Sequence, residues 1–390
     1  MDRRKFLSLT GTYTGGALLL PHFLHAFSMN HTSLGDFENQ SVVFIQLNGG
    51  NDGLNTFIPY NDPLYYHLRP KIAITKDAII GKNNGMGFHP ALKGLAQIQQ
   101  NGHLNIIQNV GYPNPNRSHF RSQEIWQTAS NSNEYLTKGW LGNYLDVQCN
   151  NVIQPTAGVN FDSIDTLALK GVNPNNITIK NPKKFKSRNP ISTPKATHNP
   201  QLDFVLKVAQ SAQQGTEKIQ QALQKATDKT SYPTTKLSAK LKWIAQLIKG
   251  NLNSKVYYTS LSGFDTHNNQ LPLHNRKLTE LNDALFAFYN DLVHANRFKN
   301  TTIVVFSEFG RRVADNGNGT DHGKAAPMFI LSAKGNGKII GKNPNLEHLD
   351  AGDLKWETDF RSVYASILKQ QLQFDPKKIG ISQNPIAGLF

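Results

Sequence analysis

"VVFIQLNGGNDGLNTF", residues 42–57, decides how this chain is read. Val42, Val43, Phe44 and Ile45 form an unbroken apolar run. A strand with one wet face alternates, whereas a continuous run belongs to a strand covered on both faces. The run then breaks into Asn48, Gly49, Gly50, Asn51, Asp52 and Gly53. Open parallel sheets bind ligands at the C-terminal ends of their strands, and this acid and these amides stand at such an end.

The same alternation runs along the chain. "HPALKGLAQIQQNG" (89–102) has leucines and isoleucine at helical spacing and a closing glycine, and "HLNIIQNV" (103–110) reads as a strand. A helix begins at Ser118, which can cap it, and "GWLGNYLDVQ" (139–148) reads as another. Helices are expected through 200–250, over 273–295 and over 358–372, and strands at 255–262, 301–310 and 326–333. Residues 58–88 read as irregular. The pattern predicts an α/β fold, a three-layer sandwich with a mostly parallel central sheet, in one domain over residues 41–390.

The 390 residues carry a formal charge of +15 and one cysteine, Cys149. A single sulfur excludes an internal disulfide and a thiolate metal site. The positive balance suits an anionic small-molecule or polymer substrate, or a membrane surface. No zinc-finger spacing, RNA-binding signature or basic recognition helix is present, so no nucleic acid is expected. "MDRRKFLSLTGTYTGGALLLPHFLHAFS" (1–28) resembles a twin-arginine export signal, which implies the twin-arginine machinery as partner and a periplasmic or extracellular location. Gly15, Gly16 and Pro21 break its apolar part, so no stable membrane span is expected after processing. A polar leader follows at 29–40. Residues 180–200 are rich in lysine and proline without an acid, the composition of a surface loop or an anion-binding flap.

The segments after the strands hold the chemistry. Asn48, Asn51 and Asp52 follow the first; Asn109, Asn116, Arg117, Ser118 and His119 follow the second. "GFDTHNNQ" brings Asp265 and His267, with His274 further on, and "SEFGRRVADNGNGTDHG" brings Glu308, Arg311, Arg312, Asp321 and His322. Carboxylates and imidazoles without sulfur suit a divalent metal: Zn, Mn, Mg or Ca. Asp265–Thr266–His267 places two donors on one side of an extended segment. Each residue also has a plainer role: Asp52 as a turn former, Ser118 as a cap, Glu308 as an ion-pair partner of Arg311 or Arg312.

In order, "RRKFL", "QLNGGNDGLN", "NRSHF", "GFDTHNNQ", "SEFGRR" with "NGNGTDHG", and "TDFRSVYASIL" resemble the bacterial exported family catalogued as domain of unknown function 1501. That family is placed among relatives of alkaline phosphatases and sulfatases, so the resemblance implies an alkaline-phosphatase-like fold. It also implies a Ser118 nucleophile. The metal ligands it implies are Asp52, Asp265, His267, Glu308 and His322, with Asn48 competing for the place of Asp52 and His274 for that of His267. Arg117, Arg311 or Arg312 would hold anionic oxygens. Phe309 stands where the relatives have a histidine. The activity implied is metal-dependent hydrolysis of phosphate or sulfate esters. The alternative is a non-catalytic binding or cell-surface assembly protein on the same framework.

Overall fold

In a computed structural model, which describes residues 40–150, 152–180, 199–227 and 230–390, the opening run is strand β1, Ser41–Asn48. The export signal and nearly all of the leader (1–39), and most of the basic stretch (181–198), lie outside the described residues. The other strands of the main sheet are, in chain order, β2 (Leu104–Gly111), β3 (Gly158–Phe161), β4 (Asn176–Thr178), β5 (Val256–Ser262), β6 (Thr301–Ser307), β7 (Ala326–Leu331), β8 (Ile339–Ile340) and β9 (Thr358–Asp359). Their order across the sheet is β8-β2-β7-β6-β1-β5-β3-β4, with β9 also paired to β2.

β1 lies near the centre, parallel to β5 on one side and β6 on the other. Its residues alternate between two cores. Val43, Ile45 and Leu47 join one hydrophobic cluster, and Val42 and Phe44 join another on the opposite face. The first core is covered by α1 (Lys93–Gln100), α5 (Lys236–Lys249) and α6 (Gln270–His294). The second is covered by α2 (His119–Thr128), α3 (Trp140–Gln148) and α7 (Phe360–Ser366). A further long helix, α4 (Pro200–Lys225), packs on α5. This double covering is why the opening run carries no polar alternation. In α6, Leu278, Leu281, Leu285, Phe288 and Leu292 recur at three- and four-residue steps and are all buried.

The expected α/β sandwich with a mostly parallel sheet is present. β7 departs from the parallel rule: it runs antiparallel to both β2 and β6. The segment between β6 and β7 contains no helix to carry the chain back across the sheet, so it returns in the opposite sense. Residues 58–88 are also more ordered than expected. Asp62 caps a short helix, Pro63–Leu68, by accepting from the Leu64 N–H at 2.9 Å, and residues 57–58, 80–83 and 86–88 form a small antiparallel sheet. The closing helix divides into β9, α7 and a wider-wound turn at Ile367–Gln371. Among the described residues no helix is long and apolar enough to cross a membrane.

Candidate metal centre

Strands β1, β5 and β6 end on one rim, and the loop after β1 must pass under the loop after β5. Gly49, at φ +118°, makes this close approach feasible: a Cβ there would stand 2.4 Å from the Asp265 backbone nitrogen. Its N–H donates to Glu308 Oε1 at 2.9 Å, tying the end of β1 to the end of β6.

On this rim Asp265 Oδ1 is a hub. His267 Nε2 lies 3.0 Å from it, His322 Nε2 3.1 Å and His119 Nε2 3.3 Å. His267 Nε2 and His322 Nε2 are 3.0 Å apart. His119, Asp265 and His322 offer ligand atoms that all lie within 4.8 Å of one another.

The opposite ring nitrogens fix the tautomers. His119 Nδ1 meets Glu308 Oε1 at 2.9 Å, His267 Nδ1 meets Asp321 Oδ1 at 3.1 Å, and His322 Nδ1 meets the Arg117 carbonyl at 2.8 Å. All three partners accept only, so each Nδ1 carries the proton and each neutral Nε2 presents a lone pair toward Asp265. His119 Nε2 is buried without a hydrogen-bond partner. Arg311 already brings a guanidinium nitrogen to 2.6 Å from that oxygen, and an added proton or a metal ion among the imidazole nitrogens would relieve the remaining opposition of lone pairs. The separations of 3.0–3.3 Å fit hydrogen bonds, and they also fit ligand atoms about 2.0 Å from a tetrahedral zinc, which lie roughly 3.3 Å apart.

The neighbours on this rim also shift its ionisable groups. Burial pushes the Asp265 carboxyl up, but His322 and Arg311 outweigh it and hold the group at about 2. Burial likewise raises Glu308, and the bonds from His119, Gly49 and Gln123 reverse it to a net lowering. The Glu308 bond raises the His119 imidazole above its ordinary value, against the effect of burial.

Of the sequence candidates, Asp265, His267 and His322 are brought together. Ser118 is exposed immediately before α2 and makes no capping bond. The Arg117 guanidinium pairs with the buried Asp353, while its carbonyl orients His322. Three other candidates have partners of their own. The Glu308 oxygens are occupied by Gly49, His119, Gln123 and Ser307, so Glu308 orients His119. Arg311 is not open to an anion. Its buried guanidinium donates to the carbonyls of Gly50, Thr320, Gly49 and Phe264, and to Asp265 Oδ1 at 2.6 Å. Asp52 is set apart from the hub, fully buried and paired with Arg69 at 2.6 Å. His119 is the residue that sequence reasoning named without a role. Its signal was an imidazole at the first turn of a helix following a strand end.

Beneath the hub, His274 Nε2 donates to Asn51 Oδ1 at 2.9 Å, close to His89. Burial pulls His274 down to about 4 and His89 to about 3. An unfolded imidazole titrates near 6.5, so below that pH the unfolded chain gains protons that the folded chain refuses. Stability is therefore complete above that value and is lost as pH falls toward the folded values. For His274 alone the loss between about pH 7 and about pH 5 is roughly 2 kcal/mol. Urea midpoints should show the gap between wild type and His274→Gln narrowing on acidification. An unchanged gap would exclude a neutral buried His274.

A mostly parallel, doubly covered sheet with three imidazoles and a carboxylate gathered at its strand ends describes an α/β protein with a candidate metal site. The chain belongs to the family described as protein of unknown function, DUF1501, whose model matches residues 106–379. That span contains all four hub residues. No curated protein matches the chain. Solved structures similar in fold include the C-terminal periplasmic domain of EptC from Escherichia coli in complex with zinc. It is 11% identical, with 75% of this chain and 72% of that one covered and a TM-score of 0.37. The lipoteichoic acid synthase LtaP from Listeria monocytogenes is 9% identical, with 81% and 70% covered and a TM-score of 0.39. A protein in the alkaline phosphatase superfamily from Vibrio parahaemolyticus is 8% identical, with 89% and 70% covered and a TM-score of 0.38.

Proposed function

We propose that this is an exported metal-dependent hydrolase of phosphate or sulfate esters, with a divalent cation held by Asp265, His119, His267 and His322. The observation that carries the reading is the orphaned, buried His119 Nε2 aimed at the same carboxylate oxygen as two other imidazole lone pairs. Three imidazoles favour zinc, a borderline cation, over manganese, magnesium or calcium.

When bound, the cation supplies Lewis-acid charge for an anionic ester and for the attacking oxygen. Ser118 stands one residue before His119, at the N-terminus of α2, where unpaired N–H groups favour anionic oxygens. Its Oγ attacks the phosphorus or sulfur, the ester bond breaks, and the alcohol leaves with a proton. Water then hydrolyses the serine ester and returns Ser118 to its free form. Glu308, Asp321 and the Arg117 carbonyl keep each imidazole in the tautomer that leaves Nε2 free. Arg311 keeps Asp265 ionised. The resemblance of residues 1–28 to a twin-arginine export signal supports export.

Turnover of 4-nitrophenyl phosphate and 4-nitrophenyl sulfate is the test. A chelator should abolish it, and Ser118→Ala should lower kcat by about a thousandfold or more while leaving bound metal unchanged. Turnover insensitive to both would refute the assignment. A second reading, a non-catalytic binding protein, is favoured by Arg311, which already neutralises Asp265, and by the loss of Asp52 and Glu308 to other pairings. Stoichiometric metal without turnover on either ester would support it.

A further inference from the structure

Beside the hub, the ends of β1, β3 and β5 and one side of α2 enclose a cleft of about 370 Å³. Gln123 lines it and donates to Glu308 Oε1 at 3.2 Å, the oxygen that also holds His119. The cleft is lined by amides with acceptors to spare. Asn160 is fully buried and spends its N–H groups on the Ile164 carbonyl at 2.9 Å and Thr178 Oγ1 at 3.3 Å, leaving its Oδ1 without a donor. Asn48 Oδ1 is likewise unpartnered. At the rim Phe120, the residue after His119, is 84% exposed.

Asp162, Ser163, Ser260 and Ser262 line both this cleft and a second cavity of about 560 Å³. Half-buried Trp243 forms part of the second wall, with four lysines around it. Lys240 is paired with Asp162 at 3.4 Å and Lys277 with Glu280 at 3.0 Å. Lys180 and Lys236 are exposed and have no ion pair among the described residues.

We propose that cleft and cavity form one groove for an anionic glycan chain. This rests on the reading of the hub as acting on an anionic ester and names the substrate class. Hydroxyl groups donate to the spare amide oxygens of Asn160 and Asn48. The apolar faces of sugar rings lie on Phe120 and Trp243. Anionic substituents meet Lys180 and Lys236. A polyphosphate has no hydroxyl donors for the amides. Single-stranded nucleic acid needs a continuous positive track, and here Asp162, Asp165 and Glu124 interrupt one.

Calorimetric titration of the full chain with short dextran sulfate, unsulfated dextran, inorganic polyphosphate and oligothymidylate tests this. Dextran sulfate should bind saturably, dextran more weakly, and the other two not at all. Trp243→Ala and the exposed Lys236→Ala should each weaken dextran sulfate binding about tenfold. Metal content measured on the same wild-type samples reports a failure of the metal reading separately from a failure of groove binding. The proposal is overturned if dextran sulfate does not bind, if polyphosphate or oligothymidylate binds as tightly, or if both groove variants bind like wild type.

Discussion

Purified His119→Ala protein should contain no stoichiometric divalent cation at neutral pH, where the unaltered protein should contain about one per chain. The imidazole is the only hub donor that comes from α2, and its Nε2 has no other partner to satisfy it. Its direction is fixed from behind by Glu308, which is itself held by Gly49, Gln123 and Ser307. Losing an orienting carboxylate typically costs metal affinity about 10- to 100-fold, so Glu308→Gln should fall in that range and loss of the donor itself should exceed it. The neighbouring Ser118→Ala serves as the control, since Ser118 precedes the same helix and is not among the hub donors. Metal analysis by mass spectrometry with calorimetric titration of zinc gives both quantities. If His119→Ala retained full metal content, the centre would have to be built from Asp265, His267 and His322 alone, and the orphaned nitrogen would need another explanation.

The parts of this site that were legible in the sequence are those whose chemistry is local. Asp265 and His267 share one short extended segment, and His322 follows a strand recognisable by its apolar run, so the strand-end rule was enough to gather them. Asp52 obeys the same rule and is nevertheless elsewhere, because its partner Arg69 sits in a stretch with no periodic signal. Arg311 was misjudged for a related reason. Its partners are mostly backbone carbonyls, which every residue has and no sequence displays. His119 was hidden by Ser118, the residue type usually chosen at that place in a strand–helix junction. The reversed direction of β7 depended on a connection lacking a helix, and length alone does not reveal that.

The largest effect on stability should come from Arg69→Met. Arg69 and Asp52 are both fully buried, and the pair is stitched into the loops around it. Arg69 also donates to the carbonyls of Val313 at 2.7 Å and Arg312 at 2.8 Å and to Asn55 Oδ1 at 2.9 Å. Asp52 accepts from Gln270, which in turn accepts from Thr320 at 2.7 Å and Thr266 at 3.2 Å, the neighbours of the hub loops. Removing the cation leaves a carboxylate in the interior with too little compensation, at a cost of about 3–5 kcal/mol. The double variant Asp52→Asn with Arg69→Met should recover much of this, because no unpaired charge remains. The pH dependence gives the sign. In the intact protein burial raises the Asp52 carboxyl, and Arg69 with the other partners outweighs it, so the net value lies below the ordinary one. That stabilisation is present above the unfolded carboxylate pKa and is lost only as pH falls through the folded value. Without Arg69 the burial effect prevails and Asp52 takes up a proton at higher pH, which relieves the variant on acidification. Urea unfolding at about pH 7 and about pH 5 should therefore show a narrowing deficit for Arg69→Met relative to wild type in a His274→Gln background, where the neighbouring imidazole no longer titrates. A deficit that stays constant between the two would mean that the cost comes from lost packing and carbonyl bonds, and that the buried charge pair is not what holds this end of the sheet together.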